Sequence, residues 1–233
     1  MNAPVFPPLF SGQAVSGGID PFEKARIEAI KGCDAGLVVH NVGRNMISAA
    51  VVFTPEDPLA QGLAILPICA VGFQNALGAL APPEVAVHLE WSGAIRVNGG
   101  RCGRFRVAAS TQEPEAVPDW VVVGLDLTLW PENDEPGHTP DQTSLYAEGC
   151  VDVDAVALLE SWIKHSLVHI NRWQDQGAEA IHKDWRGLAY NIGEELEIAG
   201  KTGTFLGVDE HFGLLLRDAE ATHLIPLTHL LEH

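Results

Sequence analysis

The chain has 233 residues, 46% hydrophobic and 19% charged, which suits one sizeable folded domain with a smaller one beside it. Its formal net charge of −17 excludes non-specific binding to nucleic acid or to anionic membrane, because both need a basic surface. No apolar run is expected to approach the ~20 residues of a membrane helix, and the opening MNAPVFPPLFSGQAVSGG lacks the basic n-region and long apolar core of a signal peptide.

Residues 1–19, rich in proline and glycine, read as an extended tail laid over the domain or left loose. Asp20-Pro21-Phe22-Glu23 then opens a helix: Asp20 caps it, Pro21 suits the first helical position, and Glu23 stands where a capping-box acid belongs. That helix should run to about Lys31 and stop at Gly32. Residues 35–41 (AGLVVHN) and 47–54 (ISAAVVFT) read as buried strands, joined by the short loop Val42-Gly43-Arg44-Asn45. The apolar stretch 59–80 is a helix ending before Pro82-Pro83, and residues 85–91 alternate as a strand. Residues 95–98 and 104–109 pair around a glycine turn, and WVVVGLDL (120–127) is a further buried strand.

Residues 131–142 form an acidic, proline-containing surface connection. Asp152 is expected to cap a long helix reaching about Gln176, with Trp162, His169 and Trp173 on one stripe beside Leu159, Ile163 and Ile170. His165 and His169 are spaced like a metal pair, but no third ligand lies near in sequence, so the reading is a packed or hydrogen-bonded pair and no metal site. From about Arg186, short strands broken by Gly200, Gly203 and Gly213 make a small barrel-like β unit that ends in the apolar HLIPLTHLLEH. The four cysteines lack any CxxC pairing and suit reduced thiols in a cytoplasm.

In this acidic chain VNGGRCGRFRV stands out, because it places Arg101, Arg104 and Arg106 within six residues. With HNVGR (40–44), Glu90-Trp91, VVVGLDL and TFLGVDEHFGLLLRD, it resembles the biotin protein ligases of the biotin/lipoate ligase superfamily, over roughly residues 20–230. HNVGR is similar to the start of the family's Gln-Thr-x-Gly-Arg-Gly-Arg loop, and Glu90-Trp91 with the hairpin to its Lys-Trp-Pro-Asn-Asp and lysine hairpin. VVVGLDL is similar to its Ile-Gly-x-Gly-Ile-Asn strand.

The resemblance implies an α+β fold, a mixed sheet flanked by helices over residues 20–183, followed by a small SH3-like barrel over 184–233. It also implies ATP and biotin, or another carboxylic acid, as ligands, and an acyl-carrier domain as acceptor. No winged helix precedes the domain, so repressor activity is not implied, and a homodimer stays open. Carboxylate activation brings two anions together, and cations with backbone N–H groups must neutralise them. The implied site is Gly43, Arg44, Trp91, Gly99, Gly100, Gly103, Arg104, Arg106 and Asp126, with Arg101 in the catalytic lysine's place.

Several positions depart from the family pattern. Arginine keeps the lysine's charge but not its geometry. The second Gly-Arg repeat is missing after Arg44, Ser92-Gly93-Ala94 replaces Pro-Asn-Asp, and Pro21-Phe22-Glu23 replaces the biotin-contacting Ser-Thr-Asn. Arg104 stands where the family keeps a glycine beside biotin, and on a strand it points the same way as Arg106, so both either enter the pocket or, with a register shift, turn to solvent and pair with acids. Three readings follow: a ligase for a different acid, an inactive relative that binds an anion or a protein partner, or a thiol enzyme with Cys102 activated by its neighbouring arginines. An open space before the arginines favours a ligand; a filled one leaves a protein-interaction role.

Overall fold

The computed structural model describes residues 3–131 and 141–232, so most of the acidic connection expected at 131–142 lies outside the described residues. A seven-stranded mixed sheet forms the centre, in the order β1-β2-β3-β7-β6-β5-β4. Its strands are β1 (Ser11–Ala14), β2 (Leu37–Val42), β3 (Met46–Phe53), β4 (Val87–Leu89), β5 (Ala94–Val97), β6 (Gly100–Ala109) and β7 (Val121–Thr128). β1 corrects the tail reading in part: residues 11–14 pair parallel with β2 as the sheet's edge.

The central strands β2, β3, β6 and β7 alternate between two apolar layers. Ala49, Val51, Val107, Val123 and Leu125 face the larger core with α3 (Ile65–Leu80) and α4 (Ala155–Gln176). Ala50, Val52, Ala108 and Val122 face α1 (Pro21–Ile30) through Phe22, Ala25 and Ala29. The expected helix at 59–80 breaks into α2 (Leu59–Gly62) and α3. At 22 residues and a mean hydropathy of 1.8 this segment is long and apolar enough to cross a membrane, contrary to the sequence expectation, but 72% of its most apolar window is buried in the core.

Asp154, not Asp152, caps α4, accepting from the Ala157 N–H. α5 (Ala178–Leu188) follows across Gly177, a helix the sequence reading missed. Trp162 is fully buried and its indole donates to the Cys69 carbonyl at 3.0 Å, which ties α4 to α3. His169 is buried with Nε2 2.5 Å from Asn75 Nδ2, and burial lowers its pKa, as expected for a packed histidine.

The C-terminal unit comprises β8 (Glu195–Ile198), β9 (Lys201–Val208), β10 (Leu214–Arg217) and β11 (Thr222–Ile225), then a 3-10 helix at Leu227–Leu230. These strands form a four-stranded antiparallel sheet, β11-β10-β9-β8, that does not close into the expected barrel. It has no need to close on itself: Phe205, Phe212, Leu214, Leu216 and Ile225 join the main core.

Candidate functional site

Cross-strand register builds the site. Asn41 faces Ser48, Ser48 faces Asp126, and Asp126 faces Arg104, so one polar row crosses β2, β3, β7 and β6 on the α1 side of the sheet. The next row, Ala50, Gly124 and Arg106, lies nearer α1. α1 covers that second row with Phe22 and stops short of the first.

Arg101 and Arg104 are three residues apart and would point to opposite faces of a regular strand. The register shift between Ile95 and Arg96 changes this. Arg104 pairs with Ala94 and Arg101 with Arg96, and Ala94 and Arg96 are two apart on β5. All three arginines therefore share one face.

They are not free on it. Arg101 Nε and Nη2 donate to Glu90 at 3.0 and 3.1 Å, and Nη1 lies 3.4 Å from Asp141. Arg96, which the sequence reading left out of the site, is buried and donates to Glu90 at 2.6 Å and to Asp141 at 2.8 Å. It also stacks over the Tyr190 ring at 4.4 Å. Burial alone would raise the Glu90 pKa, but hydrogen bonds from Arg101 and Arg96 bring it below its ordinary value. Asp141 is lowered chiefly by its bond from Arg96. The segment bearing Asp141 is placed by β6, where the Arg101 N–H donates to the Asp141 carbonyl at 2.8 Å.

Further along, Arg104 Nε is 3.6 Å from Asp126. Arg106 donates to Asp20 at 2.7 Å and through Nε and Nη2 to Glu232 at 2.8–3.1 Å, with its guanidinium 4.1 Å over the Phe22 ring. Glu23, expected in a capping box, instead faces Arg26 and Arg106 at 3.1 and 3.6 Å. Asp20 does cap α1, accepting from the Phe22 N–H. Across this face five guanidiniums (Arg26, Arg96, Arg101, Arg104, Arg106) meet six carboxylates (Glu90, Asp141, Asp126, Asp20, Glu23, Glu232), so the arginines are largely neutralised by the protein's own acids.

The Asn41–Ser48 end of the first row opens into a groove of about 730 Å³ lined by Asn41, Gly43, Arg44, Ser48, Trp130 and Tyr146, among others. The Gly43 N–H closes the β2–β3 turn onto the Met46 carbonyl at 2.9 Å. Arg44 projects from this turn, exposed and without an ion pair among the described residues. Trp130 and Tyr146 stack 3.8 Å apart, both partly exposed. The space before the arginines is thus filled at Arg106, while the Arg104 side chain is exposed and the groove lies further along the row, at Asn41 and Ser48.

The other sequence-selected positions lie elsewhere. Trp91 is buried on the opposite side, its indole donating to the Phe212 carbonyl at 2.8 Å and so joining the two parts of the chain. Gly99 supplies a positive φ of 92° to the hairpin turn after Asn98, and Gly100 packs on Thr143. Gly103 is a packing requirement, since a Cβ there would sit 2.3 Å from the Asp126 carbonyl oxygen. Cys102 is buried, and burial pushes its thiol up to about 12, opposite to the activation expected from neighbouring arginines. Among the described residues no three His, Cys, Asp or Glu side chains group as a metal site.

The profile of the biotin/lipoate A/B protein ligase family matches residues 6–187. The chain belongs to this family. Residues 192–233 match a second profile, described as a domain of unknown function. A biotin–[acetyl-CoA-carboxylase] ligase from Paracoccus denitrificans is 26% identical over 191 residues, 77% of each chain. A crystal structure of a biotin protein ligase-like protein of unknown function from Silicibacter sp. is 61% identical, with a TM-score of 0.95 over 99% of this chain and 100% of that one. The biotin protein ligase of Aquifex aeolicus, solved with biotin and ATP, shares the fold at a TM-score of 0.70 and 16% identity, covering 92% of this chain and 95% of that one.

Proposed function

We propose that this family member binds a small anionic ligand in the groove lined by Asn41, Arg44, Ser48, Trp130 and Tyr146 and does not ligate it to a carrier protein. The observation that carries this reading is the hold of Glu90 and Asp141 on Arg101. A group that must bridge a carboxylate and a phosphate is here engaged by the protein's own acids, through two hydrogen bonds to Glu90 and an ion pair with Asp141. Biotin fits poorly in the family's manner, because Phe22 covers Gly124 so closely that a Cβ there would lie 2.6 Å from its ring, and Arg106 stacks behind it.

The groove supports a ligand with a flat body and a single anion, such as an acyl-adenylate. Trp130 and Tyr146 offer an aromatic platform, and Arg44 at the Gly43 turn offers an exposed guanidinium without an ion pair among the described residues. The first test is intact-mass measurement of an acyl-carrier domain incubated with the protein, ATP and biotin or lipoate. The expected result is no added mass, also in Arg101→Lys, because Glu90 would hold the ammonium in turn. Added mass from the natural chain overturns the non-ligating reading. The second test is thermal melting with a hydrolysis-resistant acyl-adenylate, for which stabilisation should be lost in Arg44→Ala. No stabilisation of the natural chain overturns the groove reading.

A further inference from the structure

Arg106 sits at the closed end of the same face with four acids within 4.0 Å, of which the two that hydrogen-bond to it, Asp20 and Glu232, differ in kind, while Glu23 stands 3.6 Å from Nη2. Asp20 has both oxygens committed: Oδ1 accepts from the Phe22 N–H at 2.9 Å as the helix cap, while Oδ2 takes Arg106 Nη1 at 2.7 Å. Removing Asp20 would uncap α1. Glu232 has no second duty among the described residues. Its backbone N–H donates to the Val107 carbonyl at 2.8 Å, and Leu231 bridges to Val107, so the main chain is anchored beside β6. The carboxylate alone then reaches the guanidinium, through Nε and Nη2, in the paired geometry a free carboxylate adopts.

The accessibilities place the acids outside and the cation inside. The Arg106 side chain is 11% exposed, while Glu232 and Asp20 are 36% and 38% exposed. A side-chain rotation of Glu232 would expose one edge of the guanidinium fork without disturbing backbone or helix cap. At the fork the exchange is one carboxylate for another, while the rotated Glu232 carboxylate moves into solvent, where its charge is screened. Burial disfavours the Arg106 charge, but the bonds from Glu232 and Asp20 outweigh it and hold the group protonated. Asp126 lies 4.0 Å from Arg106 and 3.6 Å from Arg104, so the fork adjoins the open polar row.

We propose that Arg106 is a subsite for a small organic monocarboxylate, kept closed in cis by the Glu232 side chain. The proposal rests on reading this sheet face as a ligand face, and it adds a second anion position at the end opposite Arg44. A self-occupied site lowers apparent affinity by the fraction of time it is open, so a fork that Glu232 covers nine-tenths of the time binds about tenfold more weakly.

The test titrates sodium butyrate into ¹⁵N-labelled protein and follows the arginine Nε–H resonances. Glu232→Ala is expected to bind butyrate about tenfold more tightly than the natural chain. This gain should vanish in Glu232→Ala with Arg106→Gln and survive in Glu232→Ala with Arg44→Ala. Should Glu232→Ala fail to fold, Glu232→Gln, which keeps the length without the charge, is read the same way. Equal binding by the natural chain and the variant overturns the proposal. So does a gain that persists without Arg106. A gain that disappears with Arg44 also overturns it but leaves the groove reading standing, since that reading takes its anion contact from Arg44 and not from Arg106.

Discussion

Glu90→Gln is the sharpest perturbation of the arginine face. Glu90 is the shared acceptor of Arg96 and Arg101, and its side chain is only 14% exposed. The two arginines differ: Arg96 is 7% exposed and Arg101 50%. Removing one partner of a buried ion pair costs about 3–5 kcal/mol when the remaining charge is stranded. Arg96 would not be stranded, because Asp141 and the Gly99 carbonyl still accept from it. Asp141 is half exposed and screened, so the cost should fall to about 2 kcal/mol, or roughly 4–8 °C in melting temperature for a chain of this size. Arg101→Gln removes a half-exposed partner from the same acid and should cost no more than about 1 kcal/mol. Urea unfolding of the two variants beside the natural chain measures both. If Glu90→Gln cost less than Arg101→Gln, or less than about 0.5 kcal/mol, the buried Arg96–Glu90 pair would not be the anchor of this face.

Three further outcomes follow from other contacts. The Glu90 pKa lies below its ordinary 4.5, so its contribution is complete above that pH and is lost as pH falls through the depressed value. Melting followed from pH 6 down to 3 should therefore fall less steeply in Glu90→Gln than in the natural chain, and parallel curves would contradict this. Trp91→Phe deletes the donor to the buried Phe212 carbonyl and should cost about 1–3 kcal/mol in urea unfolding. An unchanged midpoint would mean that water or another donor replaces the indole. Cys102, buried with its thiol pushed up to about 12, should escape iodoacetamide at pH 7 in the folded chain and react once denatured. Rapid labelling in the folded state would restore the thiol-enzyme reading.

Features governed by near neighbours along the chain were legible in the sequence. The Asp20 cap, the Asn98-Gly99 turn and the alternating apolar residues of the central strands follow from local backbone chemistry and periodicity. The family resemblance was legible too, since its motifs are short and contiguous. Even local signals slipped where two acids competed, as with Asp152 and Asp154 before α4. What the sequence could not determine is whom each arginine meets. Whether Arg101 shares a face with Arg104 depends on one irregularity in the β5–β6 pairing. The partner of Arg106 comes from 126 residues away, and the carbonyl that holds Trp91 from 121. Charge pairing acts through space and carries no periodicity along the chain, so the sequence left open whether these arginines line a pocket or pair with acids, and only the fold shows them largely neutralised.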